Sequence, residues 1–486
     1  MTDAATPKAA VPAGRVGAYP DAPDAVARAF DVMRTTRAAE ADGLNLVLWY
    51  DREHAAKAAR DVQAALDEGQ DLGPLAGVPF VAKDNIATLN LPTTCASRIL
   101  AGYVSPFEAT VITRMERGGA VLVGKTNCDE FAMGSSTEHS AYGPARNPLD
   151  PTRVPGGSSG GSAGAVAAGI VRVALGSETG GSVRQPASFC GVVGVKPTYG
   201  RVSRYGLVAF ASSLDQIGIF GAGVDDAATA LELVAGRDPL DSTSADIPVP
   251  RYREAAQRSV AGLVIGRPKE YFPPSLDPRI AALCDRALTR MRELGADVRD
   301  VSLPHTDLAV PAYYIIAPAE ASSNLARFDG ARYGRRVPAA GLRATYEATR
   351  SDGFGSEVTR RILLGTYVLS AGYYDAYYKK AQEVRTLIAE DFQMVFASGV
   401  DVLFTPTAPT TAFPIGAKVG DPYAMYLSDI FTVTANLAGI PGMSLPIGRV
   451  DGLPVGGQLL APHFDELTMF TLAYNLERVL GQDAHR

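Results

Sequence analysis

The sequence has few of the residues that commonly bind metal ions or form disulfides. Its five histidines make no HxxxH or HExxH pattern, the spacing that places two imidazoles on one metal ion. Its four cysteines include no CxxC pair and lie far apart, at Cys95, Cys128, Cys190 and Cys284. Such spacing suits neither a zinc site nor a disulfide framework, and it is typical of a reducing compartment. The sequence therefore predicts a cytoplasmic protein without a metal site.

Long basic or apolar runs are also missing. No five consecutive residues are all Lys or Arg, and the formal net charge is −6, so nothing predicts an independent nucleic-acid binder. The most apolar stretch, residues 163–175, contains Arg172 and is too short to span a bilayer. Residues 1–20 are rich in Ala and Pro and lack the apolar core of a signal peptide. We expect a flexible N-terminal segment over residues 1–20 and no membrane association.

Apolar segments alternate with amphipathic ones along most of the chain. Hydrophobic residues make up 47% of the 486 residues, enough for a large core. Apolar runs that end in polar residues, such as 77–85 and 119–127, predict buried strands, and helical spacing between them, as at 108–118, predicts covering helices. This alternation indicates an α/β fold with one large domain over residues 21–486. We expect a mixed, mostly parallel central sheet with helices on both faces.

Glycine and serine are concentrated in two loops, VPGGSSGGS (154–162) and GSETGGSVRQP (176–186). A Gly-rich turn presents consecutive backbone N–H groups that can bind an anion. A phosphate-binding loop would need Gly-Lys-Ser/Thr, and neither loop has that lysine. The remaining candidate anion is the oxyanion of acyl transfer. Its nucleophile would be Ser182, and its donors would be the N–H groups of Thr179, Gly180, Gly181 and Ser182.

A nucleophilic serine needs a base, and the histidine and lysine candidates lie in different parts of the chain. GSSGG (157–161) matches the GxSxG elbow of α/β-hydrolases, with Ser159 as nucleophile and His305 or His463 as base, but no strong strand precedes it. Lys83, in VPFVAKDN, ends an apolar run and can act as a base where burial keeps it neutral. Most lysines at strand ends nevertheless reach solvent.

A cysteine nucleophile gives a further alternative. Cys128, Lys125 and Glu130 imitate the Cys-Lys-Glu set of nitrilases. These residues lie within six positions and would have to converge from one short loop. Cys128 is therefore better explained as a small core residue.

The two serine loops also carry a family resemblance. GGSSGGS (156–162), followed by GSETGGSVRQPASFCGVVGVKPTYGRVSRYG (176–206), resembles the amidase signature family. In that family a lysine, a serine in a cis-peptide geometry and a nucleophilic serine form the catalytic triad. The matching positions are Lys83, Ser158 and Ser182, and the signature core would span about residues 70–220.

Three other stretches resemble, more narrowly, the A subunits of glutamyl-tRNA(Gln)/aspartyl-tRNA(Asn) amidotransferases. They are residues 127–148, 204–218 and 372–388, which stand-alone amidases usually do not share. Three positions depart from the pattern of those subunits, because His139, Leu149 and Glu178 stand where Asn, Trp and Asp would be expected. None of these changes removes a chemical group that the triad needs.

The resemblance implies that the substrate is glutamine. Tyr313, Arg361 and Asp429 match the family's glutamine contacts, with Arg360 competing with Arg361. A guanidinium suits the α-carboxylate of glutamine, and a carboxylate suits its α-ammonium group.

The resemblance also implies a division of labour among subunits. This chain would release ammonia from glutamine and need no cofactor. A B subunit (kinase and transamidase) would bind ATP and Mg²⁺, hold most of the tRNA and amidate Glu-tRNA(Gln) or Asp-tRNA(Asn), and a small C subunit would complete a heterotrimer. The alternative is a stand-alone Ser-Ser-Lys amidase that acts on another small amide.

Overall fold

The computed structural model describes residues 24–483, which form eleven strands and fourteen α-helices. The strands are β1 (Val47–Trp49), β2 (Pro79–Lys83), β3 (Val121–Thr126), β4 (Val173–Glu178), β5 (Val193–Lys196), β6 (Gln216–Gly221), β7 (Val264–Pro268), β8 (Asp297–Val301), β9 (Val402–Pro406), β10 (Gly442–Val450) and β11 (Leu453–Leu460). The helices are α1 (Ala25–Ala41), α2 (Arg52–Asp67), α3 (Thr110–Arg117), α4 (Gly160–Ala167), α5 (Arg184–Cys190), α6 (Val224–Val234), α7 (Pro278–Glu293), α8 (Ala309–Asn324), α9 (Leu342–Gly353), α10 (Ser356–Val368), α11 (Lys380–Ala397), α12 (Pro422–Tyr426), α13 (Val433–Ala438) and α14 (Glu466–Asp483).

The strands form one sheet in the order β1-β3-β2-β4-β6-β5-β10-β11-β9-β7-β8. Strand β2 is parallel to both β3 and β4, and β7 is parallel to both β8 and β9. The other six neighbouring pairs are antiparallel. The predicted mixed sheet is confirmed, but the prediction that it is mostly parallel is wrong.

The antiparallel centre of the sheet is the part that the apolar pattern did not predict. Strands β5, β6 and β11 all contain glycine, which has a low strand propensity and interrupts an apolar run. The strands that were predicted at 77–85 and 119–127 are β2 and β3, which belong to one of the two parallel groups. The predicted sheet was therefore too parallel because three strands of its antiparallel centre, β5, β6 and β11, were not recognised.

Hydrophobic side chains cover both faces of the sheet in two separate clusters. In β2, Phe80 and Ala82 belong to the larger cluster, and Val81 between them belongs to the smaller one. Successive side chains of a strand point to opposite faces, so the two clusters lie on opposite sides of the sheet. Met115 of α3 is in the larger cluster and Val32 of α1 in the smaller, which confirms helices on both faces.

Helix boundaries follow the polar residues that satisfy free backbone groups. Helix α7 (Pro278–Glu293) begins after Asp277, whose carboxylate accepts a hydrogen bond of 2.8 Å from the Arg279 N–H. The flexible segment that was predicted for residues 1–20 lies outside the described residues. Within residues 24–483, no helix combines the length and apolarity that crossing a bilayer requires.

Candidate active site

Lys83 is the last residue of β2, and hydroxyl oxygens surround its side-chain nitrogen. Lys83 is fully buried. Its Nζ lies 2.7 Å from Ser158 Oγ, 2.9 Å from Ser159 Oγ and 3.3 Å from the carbonyl oxygen of Ser177. Because β2 and β4 are parallel neighbours, their carboxyl ends meet at one edge of the sheet. Lys83 therefore reaches both of the Gly/Ser loops.

Burial lowers the pKa of Lys83 to about 8, although the nearby Cys128 and Asp129 act in the opposite direction. No carboxylate lies within ion-pair distance of Lys83 in the described part of the chain. About a tenth of the Lys83 side chains are therefore the free amine at pH 7, and this is the form that can accept a proton.

Ser158 lies in the loop before α4, next to Lys83. The Gly157–Ser158 peptide bond is cis, in agreement with the family resemblance. Two further bonds hold the loop: the Gly157 N–H donates to Gln185 Oε1 at 3.0 Å, and the Asp129 N–H donates to the Ser158 carbonyl at 3.2 Å. These bonds fix Ser158 where its hydroxyl oxygen accepts a hydrogen bond from Lys83 Nζ.

Ser182 lies between the end of β4 and the start of α5. The Ser159 N–H donates to the Ser182 carbonyl at 3.3 Å, which joins the two Gly/Ser loops. Ser182 is 7% exposed, whereas Lys83 and Ser158 are fully buried. The structure therefore brings Lys83 and Ser158 into contact and joins the backbone of Ser182 to the adjacent Ser159, with Ser182 the most exposed of the three predicted residues.

The loop from Thr179 to Ser182 has backbone N–H groups that are left without acceptors. Among residues 24–483, no protein atom accepts from the N–H of Gly180, Gly181 or Ser182. The next two amides, those of Val183 and Arg184, both donate to Glu178 Oε2 at 3.0 Å. The unpaired donors next to Ser182 are suited to an oxyanion.

Glu178, which departs from the family pattern, holds the end of this loop by pairing with the Arg184 side chain. Its Oε1 accepts from Arg184 Nε at 2.8 Å and also from Arg184 Nη2. Burial raises the pKa of Glu178, but the charge and hydrogen bonds of Arg184 outweigh burial and leave the pKa below its usual value. Glu178 is therefore ionised, and the longer side chain performs the loop-closing role without disturbing the triad.

Tyr313 and Asp429 pack against the two glycines of the loop. A methyl group on Gly180 would lie 2.8 Å from Cζ of Tyr313, and one on Gly181 would lie 2.7 Å from Asp429 Oδ1. Asp429 Oδ2 accepts from Ser135 Oγ at 2.5 Å, whereas Oδ1 is buried without a protein partner. Burial raises the pKa of Asp429 to about 7. An unpaired buried carboxylate oxygen beside the loop suits an ammonium group of a ligand.

Arg361 of α10 is buried, and Arg360 is not. Arg361 Nε donates to Glu357 Oε1 at 2.8 Å, and its guanidinium carbon lies 5.2 Å from the ring centroid of Tyr314. The Tyr314 ring in turn lies 4.9 Å from that of Tyr313, which links Arg361 to the Gly180 side of the loop. The Arg360 side chain is 49% exposed. Of the two candidates, Arg361 is the arginine at this site.

The hydrolase elbow does not form. Ser159 is fully buried, and its hydroxyl donates to the Ser177 carbonyl at 2.9 Å. His305 Nδ1 lies 2.9 Å from Asp391 Oδ1, and His463 packs near Gly439. Neither histidine contacts Ser159, so Ser159 holds Lys83 in place and has no histidine base.

The cysteine alternative fails for a similar reason. Burial raises the pKa of the Cys128 thiol well above its usual value, which disfavours the thiolate. Lys125 Nζ donates to Thr93 Oγ1 at 3.0 Å, and Glu130 Oε2 accepts from the Gly355 N–H at 2.8 Å. The three side chains are directed to different partners, and Cys128 is a core residue.

Several residues at the site were not predicted from the sequence. Asp215 accepts from Thr179 Oγ1 at 2.6 Å, and Thr432 Oγ1 donates to the Gly180 carbonyl at 2.8 Å. Ser135 and Ser159 bond Asp429 and Lys83, as described above. Thr432 follows Asp429 by only three positions, which is a usable signal, whereas nothing local marks Asp215. Within residues 24–483, no group of three or more potential ligand residues could hold a metal ion.

Comparison with known proteins agrees with this geometry. The family model described as Amidase matches residues 32–470. The chain belongs to the amidase family. Among solved members, a peptide amidase from Stenotrophomonas maltophilia is 30% identical, with a TM-score of 0.80 over 94% of each chain.

Other members of the amidase family are much closer in sequence. The A subunit of glutamyl-tRNA(Gln) amidotransferase from Moorella thermoacetica is 60% identical over 88% of this chain and 87% of its own length. The same protein of Koribacter versatilis is 57% identical over 91% of this chain and 92% of its own length. The crystal structure of its Thermotoga maritima counterpart is 49% identical, with a TM-score of 0.72 over 84% of each chain.

Proposed function

We propose that this amidase-family chain is the glutaminase subunit of a tRNA-dependent amidotransferase, with Lys83, Ser158 and Ser182 as its triad. The observation that carries the substrate assignment is the pair of opposite charges, Arg361 and Asp429, that flank the loop of Ser182. Free glutamine carries an α-carboxylate and an α-ammonium group in addition to its side-chain amide. The amidotransferase relatives that are 57–60% identical support the same assignment.

Glutamine fits the site by charge and by hydrogen bonding. Among the described residues, no protein acceptor bonds the two terminal nitrogens of Arg361, which can therefore hold the α-carboxylate in a bidentate pair. Asp429 Oδ1 can accept from the α-ammonium group, which would satisfy an otherwise unpaired buried oxygen. Held at these two ends, the ligand would extend its amide toward Ser182, and Tyr313 would pack along it.

Proton transfer along the triad then cleaves the amide. Neutral Lys83 takes the hydroxyl proton of Ser158, which takes the proton of Ser182 as Ser182 Oγ bonds to the amide carbon. The N–H groups of Thr179, Gly180, Gly181 and Ser182 stabilise the oxyanion. Ser158 returns a proton to the leaving nitrogen, the C–N bond breaks and ammonia departs. Water hydrolyses the resulting ester to glutamate and restores Ser182.

The ammonia requires an acceptor on another polypeptide. We assign amidation of Glu-tRNA(Gln) or Asp-tRNA(Asn), with ATP and Mg²⁺, to a B subunit, and we assign stabilisation of the complex to a small C subunit. The net charge of −6 is consistent with a partner that holds most of the tRNA. The four buried free cysteines are compatible with the cytoplasm as the compartment.

A stand-alone amidase for another small amide is the second candidate. The higher TM-score to the peptide amidase, 0.80 against 0.72, favours it. A shared fold does not determine a substrate, however, and the charged residues of the site do. An apolar amide would leave the terminal nitrogens of Arg361 and Asp429 Oδ1 desolvated without a partner, which is unfavourable.

Ammonia release from glutamine tests the proposal. The purified chain is assayed alone and with B and C subunits, ATP and Glu-tRNA(Gln), beside Ser182→Ala. We expect the partners to stimulate ammonia release strongly, and we expect Ser182→Ala to abolish that release.

Substitution of Arg361 tests the glutamine contact. Arg361→Lys should raise the KM for glutamine about tenfold or more through loss of the bidentate pair, and Arg360→Lys, the matched control, should not. Equal activity without partners, or a preference for unrelated amides, would favour the stand-alone amidase.

A further inference from the structure

Thr432 is a fully buried residue that contacts both the nucleophile loop and the segment that carries Asp429. It immediately precedes α13. Its hydroxyl lies 2.8 Å from the Gly180 carbonyl and 3.0 Å from the Asp429 carbonyl. A hydroxyl has one hydrogen to donate, so these two carbonyls compete for it, and the shorter contact is to Gly180.

The backbone of Thr432 is itself held firmly. Its N–H donates to the Asp429 carbonyl at 3.0 Å, and its carbonyl accepts from Arg184 Nη2 at 2.8 Å. Arg184 is in turn paired with Glu178. A β-branched side chain on a fixed backbone has few accessible rotamers, so the position of the hydroxyl is well defined.

The bond from Thr432 to Gly180 sets the direction of an oxyanion donor. Only the Gly157–Ser158 peptide is cis among the described residues, so the Gly180–Gly181 peptide is trans. In a planar trans peptide, the C=O of one residue and the N–H of the next point to opposite sides. Anchoring the Gly180 carbonyl to Thr432 therefore turns the Gly181 N–H away from Thr432, where no described protein atom accepts from it.

The neighbouring peptide is anchored differently. The Gly181 carbonyl accepts from the Gln185 N–H at 2.9 Å, in the first turn of α5. That bond forms with the helix itself and needs no side chain. Of these two peptides, the Gly180–Gly181 peptide is therefore the one whose orientation depends on a side-chain hydroxyl.

Thr432 also connects this peptide to the proposed ammonium contact. Asp429 and Thr432 bracket one turn, and a methyl group on Gly181 would contact both Asp429 Oδ1 and Thr432 Oγ1. A cation bound at Asp429 Oδ1 would thus lie against the same turn that holds Gly180. A change in the position of Asp429 is transmitted to Thr432 through the two contacts with the Asp429 carbonyl.

We propose that Thr432 is a positioning residue that orients the Gly180–Gly181 peptide for oxyanion binding and makes that orientation depend on occupation of Asp429 by the α-ammonium group. This inference rests on the proposed glutaminase function. It assigns to the turn over residues 429–432 a role in substrate selection: an amide that lacks the ammonium group gains less from the oxyanion hole. Thr432 touches neither the nucleophile nor the reacting amide.

Substitutions at Thr432 test this role in the chain assembled with its B and C subunits. Thr432→Val keeps the shape and removes the hydroxyl, and Thr432→Ser keeps the hydroxyl. Loss of one oxyanion donor lowers kcat about 10²- to 10³-fold. Thr432→Val would misorient the Gly181 N–H without removing it, so we expect kcat to fall about 10- to 100-fold. The KM for glutamine should stay within about threefold of the wild-type value. Thr432→Ser should restore kcat to within about threefold of the wild type. Thr349→Val, which alters another fully buried threonine on α9, is the matched control and should leave kcat unchanged.

A second substrate tests the link to Asp429. Glutaric acid monoamide has the carboxylate and the amide of glutamine without the α-ammonium group. We expect Thr432→Val to reduce kcat much less on this amide than on glutamine. Equal losses of kcat on both substrates would overturn the link to Asp429. The positioning role would be overturned if Thr432→Val left kcat unchanged. It would also be overturned if Thr432→Ser were as impaired as Thr432→Val. If Thr432→Val does not fold, Thr432→Ala replaces it in the same comparison.

The wild-type assay separates failure of this inference from failure of the proposed function. A wild-type complex that releases no ammonia from glutamine contradicts the glutaminase function and, with it, the link to the α-ammonium group. A wild-type complex that is active on glutamine, with Thr432 variants that behave like it, contradicts the role of Thr432 alone.

Discussion

Lys83 is a buried lysine whose nearest partners are two serine hydroxyls rather than a carboxylate. Removing a charged ammonium group from water costs several kcal/mol unless an opposite charge lies close by. The neutral amine avoids that cost, which is why burial lowers the pKa of Lys83 to about 8. The surroundings of this one residue therefore favour the free amine, which is the form that the proposed mechanism uses as its base.

The pH dependence of glutamine hydrolysis should follow the ionisation of Lys83. Protonated Lys83 cannot accept the Ser158 proton, so activity requires the free amine. With a pKa of about 8, about a tenth of the side chains are neutral at pH 7 and most are at pH 9. We expect kcat/KM to rise about tenfold between these pH values and then level off, measured as initial rates of ammonia release. A profile that is flat from pH 6 to 9 would contradict the role of Lys83 as the base.

Ser158→Ala should remove the proton carrier between Ser182 and Lys83. We expect kcat to fall by about 10²-fold or more, the scale of a lost proton-transfer group. Ser162→Ala is the matched control, because this serine lies four positions later, in the first turn of α4, and bonds Thr126 and the Leu175 carbonyl instead. Steady-state kinetics of both variants check the prediction, and similar losses in the two would mean that Ser158 acts only structurally.

The Glu178–Arg184 pair should matter more for stability than any ion pair on the surface. Both side chains are fully buried, so Glu178→Gln leaves the Arg184 charge without its partner, a change that typically costs about 3–5 kcal/mol. We expect a clearly lower Tm by thermal denaturation. Glu347→Gln, which breaks a pair with the 92% exposed Arg343, should leave the Tm nearly unchanged. Equal Tm values for the two variants would be inconsistent with a structural role for Glu178.

Two packed helices determine how the proposed glutamine contacts lie relative to each other. Tyr313 is on α8 and Arg361 is on α10, and the two helices touch where Gly365 of α10 meets the Pro318 carbonyl of α8. Pro318 lacks an N–H group, so the Tyr314 carbonyl one turn earlier has no helical donor there. Between these two elements, a glycine allows the close approach that places the tyrosine and the arginine around one ligand.

Gly365→Ala should push α10 away from α8, because the added methyl group would overlap the Pro318 carbonyl. We expect the KM for glutamine to rise about tenfold and the Tm to fall, since overpacking costs about 1–3 kcal/mol. Gly481→Ala is the control, because it lies in α14 with no atom within 4 Å of the added methyl group. Its Tm should be unchanged or slightly higher, as alanine favours a helix. An unchanged KM in Gly365→Ala would show that the spacing of α8 and α10 does not control substrate binding.

Across the whole molecule, the charge distribution favours a division of labour with another polypeptide. The net charge is −6 over 486 residues, and no long basic run provides an electrostatic surface for a nucleic acid. The catalytic groups instead lie within one sheet edge and the loops beside it. The proposed complex would therefore combine a buried glutaminase site in this chain with a tRNA-binding surface in its partner.

Binding of tRNA should require the partner. We expect no complex between this chain and Glu-tRNA(Gln) in a mobility-shift assay at about 0.15 M salt, where surface electrostatics are screened. Addition of the B and C subunits should produce a complex that contains all three chains. Tight binding by this chain alone would require a basic surface formed by residues far apart in the sequence.

Local sequence patterns were sufficient for the fold class, the Gly/Ser loops and Ser182 as a candidate nucleophile, whereas Lys83 and Ser158 were assigned to the predicted triad through the family resemblance. Apolar runs predict strands, and glycine-rich turns predict anion binding. Lys83, Ser158 and Ser182 each lie in a short motif of consecutive residues. Arg361 and Asp429 were also found, but only because short motifs resembled a known family. Strands β5, β6 and β11, in the antiparallel centre of the sheet, were missed, and the direction in which strands pair depends on their connections rather than on their own residues.

Which side chains meet was settled by the three-dimensional packing of the chain. Packing brought Lys83 and Ser158 to 2.7 Å across 75 positions of sequence, and it directed Lys125 and Glu130 to other partners than Cys128. It also placed Thr432 on Gly180, 252 positions away. The physical reason is that burial and hydrogen-bond partners depend on neighbours across the sheet. Those neighbours lower the pKa of Lys83 and hold the Thr432 hydroxyl against the Gly180 carbonyl, which no local pattern encodes.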